Sequence, residues 1–167
     1  HPEIKKVILV QHWTGQDRPD TYTQLHAFSS RVKSMGVILF IATDVPIRKI
    51  TPNKIMAKME IITPRRIEAG WVDGRQSEQE YEQLQGEVNH KLEKICFETD
   101  AVLVPLHLAL KEGRSYVAFE KKNGVYVPLY RDTGHLAPDG ALRVSQFILP
   151  YLLGDEVLHK KSLDTVK

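Results

Sequence analysis

The chain has 167 residues, 42% of them hydrophobic and 26% charged, with a formal net charge of +2 and a single cysteine. This is the composition of an ordinary soluble globular protein, long enough to bury one core as a single domain, and it excludes an internal disulfide. So small and scattered a positive charge excludes nucleic acid as the natural partner, and no run reaches the roughly 18 apolar residues of a membrane span.

The opening, "HPEIKKVILV", has neither an initiator Met nor a signal-peptide layout, so the chain reads as a piece of something longer. Ile4–Val10 is a short apolar run rich in β-branched residues, the pattern of a strand buried on both faces. The loop "QHWTGQDRP" follows. Leu25, Phe28, Val32 and Met35 then recur at helical spacing between Tyr22 and Met35, and Gly36 supplies a stop. "VILFIA" (Val37–Ala42) reads as a second buried strand ended by an Asp44-Val45-Pro46 turn, which completes one strand-helix-strand unit.

Residues 47–75 are rich in Pro, Arg and Lys and weakly periodic, an irregular excursion with one short helix around Asn53–Met59. A long helix begins at Ser77: Tyr81, Leu84, Val88, Leu92, Ile95 and Cys96 form one stripe, and Ser77 and Glu80 are spaced as a capping box. Cys96 on that stripe is read as buried filler. Ala101–Pro105 is a third buried strand and Val125–Tyr130 is extended. Pro138–Leu153 is the last helix, with Pro138 and Asp139 in its first turn, where both are favoured, and Gly154 closes it. Strands alternating with helices predict a three-layer α/β/α sandwich around a mostly parallel sheet. Ligands gather beyond the carboxyl ends of such strands, so the loops Gln11–Gly15, Asp44–Pro46 and Asp132–His135 are expected on one face.

Asp132 and His135 bracket a short loop from strand to helix. A carboxylate there can accept the Nδ1 proton of an imidazole and so leave Nε2 to act as a base. The alternative is that Asp132 caps the turn and His135 is an exposed loop residue. Asp44 reads as a turn former rather than a catalyst. His26, His90 and His107 have no paired ligand spacing and no metal motif occurs, so neither a metal nor a cofactor is expected.

"YRDTGHLAPDGA" (Tyr130–Ala141) resembles the last sequence block of the SGNH (GDSL-like) hydrolases, where an Asp-x-x-His pair precedes Leu and a helix opening with Gly-Ala. "VILVQHWTG" (Val7–Gly15) resembles the strand-plus-Trp block of one branch, the SGNH domains fused to the C-terminus of membrane acyltransferases that O-acetylate bacterial cell-surface polysaccharides. "SMGVILFIATDVP" (Ser34–Pro46) and "AVLVP" (Ala101–Pro105) keep that branch's order, so the resemblance spans Ile4 to about Leu153.

The resemblance implies a flavodoxin-like SGNH domain over residues 1–154, followed by a polar tail over 155–167. It implies acyl transfer, usually of acetyl, to or from glycan hydroxyls by a Ser-His-Asp mechanism, with His135 as base and Asp132 as its orienter. It also implies a cell-surface glycan or lipopolysaccharide acceptor, an attached membrane acyltransferase and a periplasmic location. His12 and Trp13 either wall the acyl or sugar pocket or, for Trp13, pack beneath it. Trp71 with Arg65 and Arg66 forms either a sugar-stacking surface or a solvated loop.

The family's Gly-Asp-Ser motif is absent from the sequence, and none of Ser29, Ser30, Ser34, Ser77, Ser115, Ser145 and Ser162 is placed at a strand-to-helix elbow. The nucleophile strand is therefore expected upstream of this chain. A serine-less fold kept as a glycan-binding or scaffolding module is the rival reading, and a free-standing esterase a third. No oxyanion donor is recognisable.

Overall fold

The computed structural model describes residues 3–49 and 74–154. The short helix expected around residues 53–59, the surface of Arg65, Arg66 and Trp71, and the tail lie outside the described residues. The described chain forms two compact units: residues 3–44, 87–106 and 146–154 in one, and 45–49, 74–86 and 107–145 in the other.

The first unit is built on β1 (Lys6–Val10), β2 (Ile38–Ala42) and β4 (Val102–Val104), a three-stranded parallel sheet in the order β1-β2-β4. The pairing sets Lys6 beside Ile38 and Val10 beside Ala42, and Phe40 beside Val102. Hydrogen-bonded on both sides, β2 is the most apolar and most deeply buried of the three, as a central parallel strand requires. Between β1 and β2 runs α1 (Pro19–Ser34), with Pro19 in its first turn and Arg31 and Lys33 in its last. Its buried seam is Leu25, Ser29 and Val32, and Ser29 Oγ donates to the Leu25 carbonyl at 2.8 Å. Phe28 and Met35, expected on the core stripe, are exposed, because the seam is narrower than the apolar pattern.

Helix α2 (Glu78–Thr99) contributes residues to both units. Its capping box forms as spaced: Ser77 N–H donates to Glu80 Oε2 at 3.0 Å and Glu80 N–H to Ser77 Oγ at 3.2 Å, which holds the Glu80 carboxyl below its ordinary range. Val88, Leu92, Ile95 and Cys96 join Trp13, Leu25, Val32, Leu39 and Ile41 in the core of the first unit. Burial, helped by nearby Glu93, pushes the Cys96 thiol up to about 12, so at neutral pH it is an uncharged packing group.

The second unit is antiparallel. β3 (Arg75–Ser77), β6 (Ser115–Val117) and β5 (Lys111–Glu112) form a three-stranded sheet in the order β3-β6-β5, and β7 (Phe119–Lys122) pairs with β8 (Val125–Pro128) as a hairpin. The expectation of a mostly parallel sheet is therefore corrected. It holds for β1, β2 and β4, whereas the strands of residues 111–128 follow one another too closely for a parallel crossover, which needs a dozen or more residues. The hairpin turns at Asn123-Gly124, both at positive φ (52° and 81°), which suits the right-handed twist of its strands. The expected extended run at Val125–Tyr130 is thus β8 plus two buried residues that leave the hairpin.

An aromatic cluster fills this unit. The His107 ring stacks on Tyr81 at 4.8 Å between centroids and meets the edge of Tyr116 at 5.9 Å. Burial, helped by Lys111, lowers the His107 pKa from 6.5 to about 4. The unfolded chain gains a proton as pH falls through 6.5, whereas the native ring stays neutral until about 4. Stability from this site is therefore complete above pH 6.5 and declines toward pH 4, with a ceiling of about 3 kcal/mol. Urea unfolding at pH 7.5, 5.5 and 4.5 should show that decline in the wild type and a smaller one in His107→Phe. Parallel pH profiles would remove His107 as its source.

Candidate active site

The hairpin delivers the chain into the loop of interest. Leu129 N–H donates to the Ala118 carbonyl at 2.8 Å, and Leu129 and Tyr130 are fully buried. Tyr130 forms an isolated antiparallel bridge with Leu136, Arg131 N–H donates to the His135 carbonyl at 2.8 Å, and Ala137 N–H donates to the Leu129 carbonyl at 3.0 Å. Residues 131–135 are thereby closed into a tight loop, and α3 (Pro138–Leu153) begins directly beyond it. Lys122 at the end of β7 donates to the Asp139 carboxylate in the first turn of α3, which ties hairpin and helix together. Asp139 and a neighbouring Glu120 hold the Lys122 ammonium above its ordinary pKa.

Within the loop the Asp132 carboxylate organises everything. Its Oδ1 accepts the main-chain N–H groups of Gly134 at 3.0 Å and His135 at 2.8 Å, an Asx-type turn. Both carboxylate oxygens also lie 2.9 Å from His135 Nδ1. The two amides, Gly134 first, hold the Asp132 carboxyl well below its ordinary range, and the imidazole adds to the effect. An ionised carboxylate only accepts hydrogen bonds, so Nδ1 must carry the proton in the neutral ring and the lone pair falls on Nε2. The His135 side chain is 73% exposed, against 36% for Asp132, so the ring is open to an incoming group. Turn capping and imidazole orientation, set out above as alternatives for Asp132, are performed by one carboxylate at once.

His12 and Trp13 fare differently from each other. His12 is exposed and packs against Gly15, where a Cβ would come within 2.5 Å of His12 Nδ1. Trp13 is 1% exposed, its indole N–H donating to the Ala42 carbonyl at 2.6 Å and its amide to Asp44 Oδ1 at 3.0 Å. A ring so covered has no face left for a sugar. Asp44 is buried and spends its other oxygen on the Thr14 amide and hydroxyl, both at 2.8 Å, so it clamps the loop after β1 to the end of β2.

Several described serine hydroxyls are engaged in local helix contacts: Ser29 with Leu25, Ser34 with Arg31, Ser145 with Leu142 and Ser77 with Glu80. Among the described residues no group of three or more His, Cys, Asp or Glu side chains is arranged to hold a metal, and no helix is long and apolar enough to cross a membrane.

A sequence comparison decides the family. The model of the SGNH domain that occurs fused to AT3 domains matches residues 1–150. The chain belongs to this SGNH family. Membership gives the domain a hydrolase or acyl-transfer-related role and associates it with acyltransferase proteins. No curated protein matches the chain.

Arg48 and Gly140 pack against or beside the Asp132–His135 loop, and sequence reading gives neither a place there. Arg48 is buried, with its guanidinium carbon 4.8 Å from the Tyr130 ring centroid. It lies in a stretch without periodicity, so no sequence signal marks it. Gly140 did carry one. A glycine inside the first turn of a helix costs stability, about 1 kcal/mol against alanine, and so points to a close approach. The Asn-Gly dipeptide at 123–124 was the matching signal for the hairpin.

Proposed function

We propose that this SGNH domain carries the base and orienter of a Ser-His-Asp site that moves an acyl group, usually acetyl, to or from a glycan hydroxyl. The observation that carries this reading is the 2.9 Å approach of His135 Nδ1 to both oxygens of Asp132, with the ring open to solvent. The nucleophilic serine comes from a Gly-Asp-Ser segment outside these 167 residues, in a three-layer α/β/α domain at the periplasmic side of a membrane acyltransferase. The acceptor is a cell-surface polysaccharide or lipopolysaccharide.

In this reaction Nε2 of His135 removes the serine proton as Oγ attacks the acyl carbonyl. Asp132 stabilises the resulting imidazolium. Main-chain N–H groups aimed at the tetrahedral oxyanion contribute on the order of 3 kcal/mol each. The imidazolium then protonates the leaving oxygen, and the acyl-enzyme remains. A sugar hydroxyl or a water, deprotonated by the same Nε2, completes transfer or hydrolysis. Neither a metal nor a cofactor enters. His12, exposed on the Gln11–Gly15 loop, is the better candidate of its pair for a substrate contact, since Trp13 serves the core.

A fluorophosphonate reagent tests the assignment in the intact protein. It should phosphonylate one serine outside residues 1–167, and His135→Ala should abolish that labelling, because the hydroxyl needs its base. Labelling that persists in the variant, or no labelled serine in the wild type, rejects the mechanism. The second outcome would favour the rival reading, a serine-less glycan-binding or scaffolding module.

A further inference from the structure

The mechanism above leaves a buried cation unused. Arg48 touches the Asp132–His135 loop through its main chain, and through its side chain it touches Tyr130, two residues before that loop. Its N–H donates to the Thr133 carbonyl at 2.7 Å. Its guanidinium lies over the Tyr130 ring at 4.8 Å, and Nη1 donates to the Gly74 carbonyl at 3.1 Å.

The peptide bond supplies the connection. The Thr133 carbonyl and the Gly134 N–H belong to one planar trans unit and point in opposite directions. A carbonyl anchored on Arg48 therefore directs the Gly134 N–H the other way, and there it meets Asp132 Oδ1 at 3.0 Å. Asp132 Oδ1 in turn faces His135 Nδ1. The order is Arg48 N–H, Thr133 carbonyl, Gly134 N–H, Asp132 carboxylate, His135 ring. The first links run in one sense, from Arg48 N–H through the Thr133–Gly134 peptide to Asp132, and the carboxylate is the common acceptor of the Gly134 amide and of His135 Nδ1–H. The bonds inside the loop fix its shape, whereas the bond from Arg48 fixes how that shape is held on the unit. The guanidinium matters because it immobilises Arg48 itself: a planar cation stacked on a fully buried tyrosine and bonded to a carbonyl cannot be replaced by a flexible ammonium.

We infer that Arg48 is a positioning residue for the dyad: held by Tyr130 and Gly74, it fixes the Thr133–Gly134 peptide that aims the Asp132 carboxylate at His135. Its bearing on turnover rests on the proposed function, but its bearing on loop geometry does not.

The experiment uses both levels. In 15N-labelled intact protein, wild type should show His135 as a single Nδ1-H tautomer and the Gly134 amide proton shifted downfield by its carboxylate partner. Arg48→Met should move the Gly134 amide upfield and give His135 a mixture of tautomers. It should also lower kcat for an activated acetyl ester about 10- to 100-fold at nearly unchanged KM, the scale of a misplaced catalytic group. Arg48→Lys should fail to restore either signal, and it decides the matter should the methionine variant not fold. Tyr130→Phe, which keeps the ring, should leave both signals as they are. Unchanged Gly134 and His135 signals in a folded Arg48 variant overturn the inference. If instead the signals move while His135→Ala proves catalytically silent, the positioning role stands and the proposed function falls.

Discussion

In the intact protein, His135→Ala is expected to lower kcat for an activated acetyl ester by about 10³- to 10⁶-fold with little change in KM, since a triad base acts in the transition state and not in ground-state binding. Stability should stay within about 0.5 kcal/mol of wild type, because the side chain is 73% exposed and the loop is closed by main-chain bonds. A companion substitution separates the two duties of Asp132. In Asp132→Asn the amide oxygen can still accept from Gly134 and His135, so the turn persists. Its NH2 group, if turned to Nδ1, can only donate. The imidazole must then accept there and carry its proton on Nε2, where it is useless as a base. A loss of about 10⁴-fold with an intact fold is expected, together with the opposite tautomer in the 15N spectrum. Asp132→Ala should also loosen the turn, visible as faster exchange of the Gly134 and His135 amides. Wild-type turnover in His135→Ala would remove the catalytic assignment altogether.

The two halves of the fold were unequally legible in the sequence. β2 and α2 announce themselves because each buries a continuous face, and burial writes a period into the chain: β2 as an unbroken apolar run, α2 as Val88, Leu92, Ile95 and Cys96. β1 carries the same apolar run, yet it is not buried on both faces as expected, since Val7, Ile8 and Leu9 are half-buried and Val10 is exposed. The five antiparallel strands have two to four residues each, too short for alternation to rise above chance, and the buried centre of β3 is a polar residue, Gln76. The dyad was legible because its chemistry is local. A carboxylate and an imidazole with two residues between them meet through the turn that the carboxylate itself nucleates. The supports of that turn were not legible. Arg48 acts through a main-chain N–H, which every residue but proline possesses, so no side-chain pattern records it. Trp13 shows the converse limit: sequence places it at a strand end but cannot say whether the indole faces a ligand or, as here, the Ala42 carbonyl.

Gly140 is where a sequence rule and a structural fact give opposite signs for one substitution. Helix propensity makes Gly→Ala favourable by up to about 1 kcal/mol in a helix. At Gly140, however, an added Cβ would lie 2.0 Å from the Leu129 carbonyl oxygen, 2.9 Å from its carbon and 3.2 Å from its Cα. All three are main-chain atoms. Leu129 cannot retreat, because its N–H is bonded to Ala118 and its carbonyl accepts from Ala137. The first turn of α3 would have to lift instead, stretching the Ala137 bond and the Tyr130–Leu136 bridge that closes the Asp132–His135 loop. Gly140→Ala is therefore expected to lower the free energy of unfolding by about 3 kcal/mol, the upper range for overpacking a close contact, and to broaden the His135 ring signals. Gly86 in α2 provides the internal comparison. There the three atoms nearest an added Cβ all belong to the exposed Glu82 side chain, which is flexible and can swing into solvent. Gly86→Ala should be neutral or stabilising by up to about 1 kcal/mol. Urea unfolding of the two variants beside the wild type decides between propensity and packing. If Gly140→Ala matches the wild type, the close approach of helix to strand does not hold the loop.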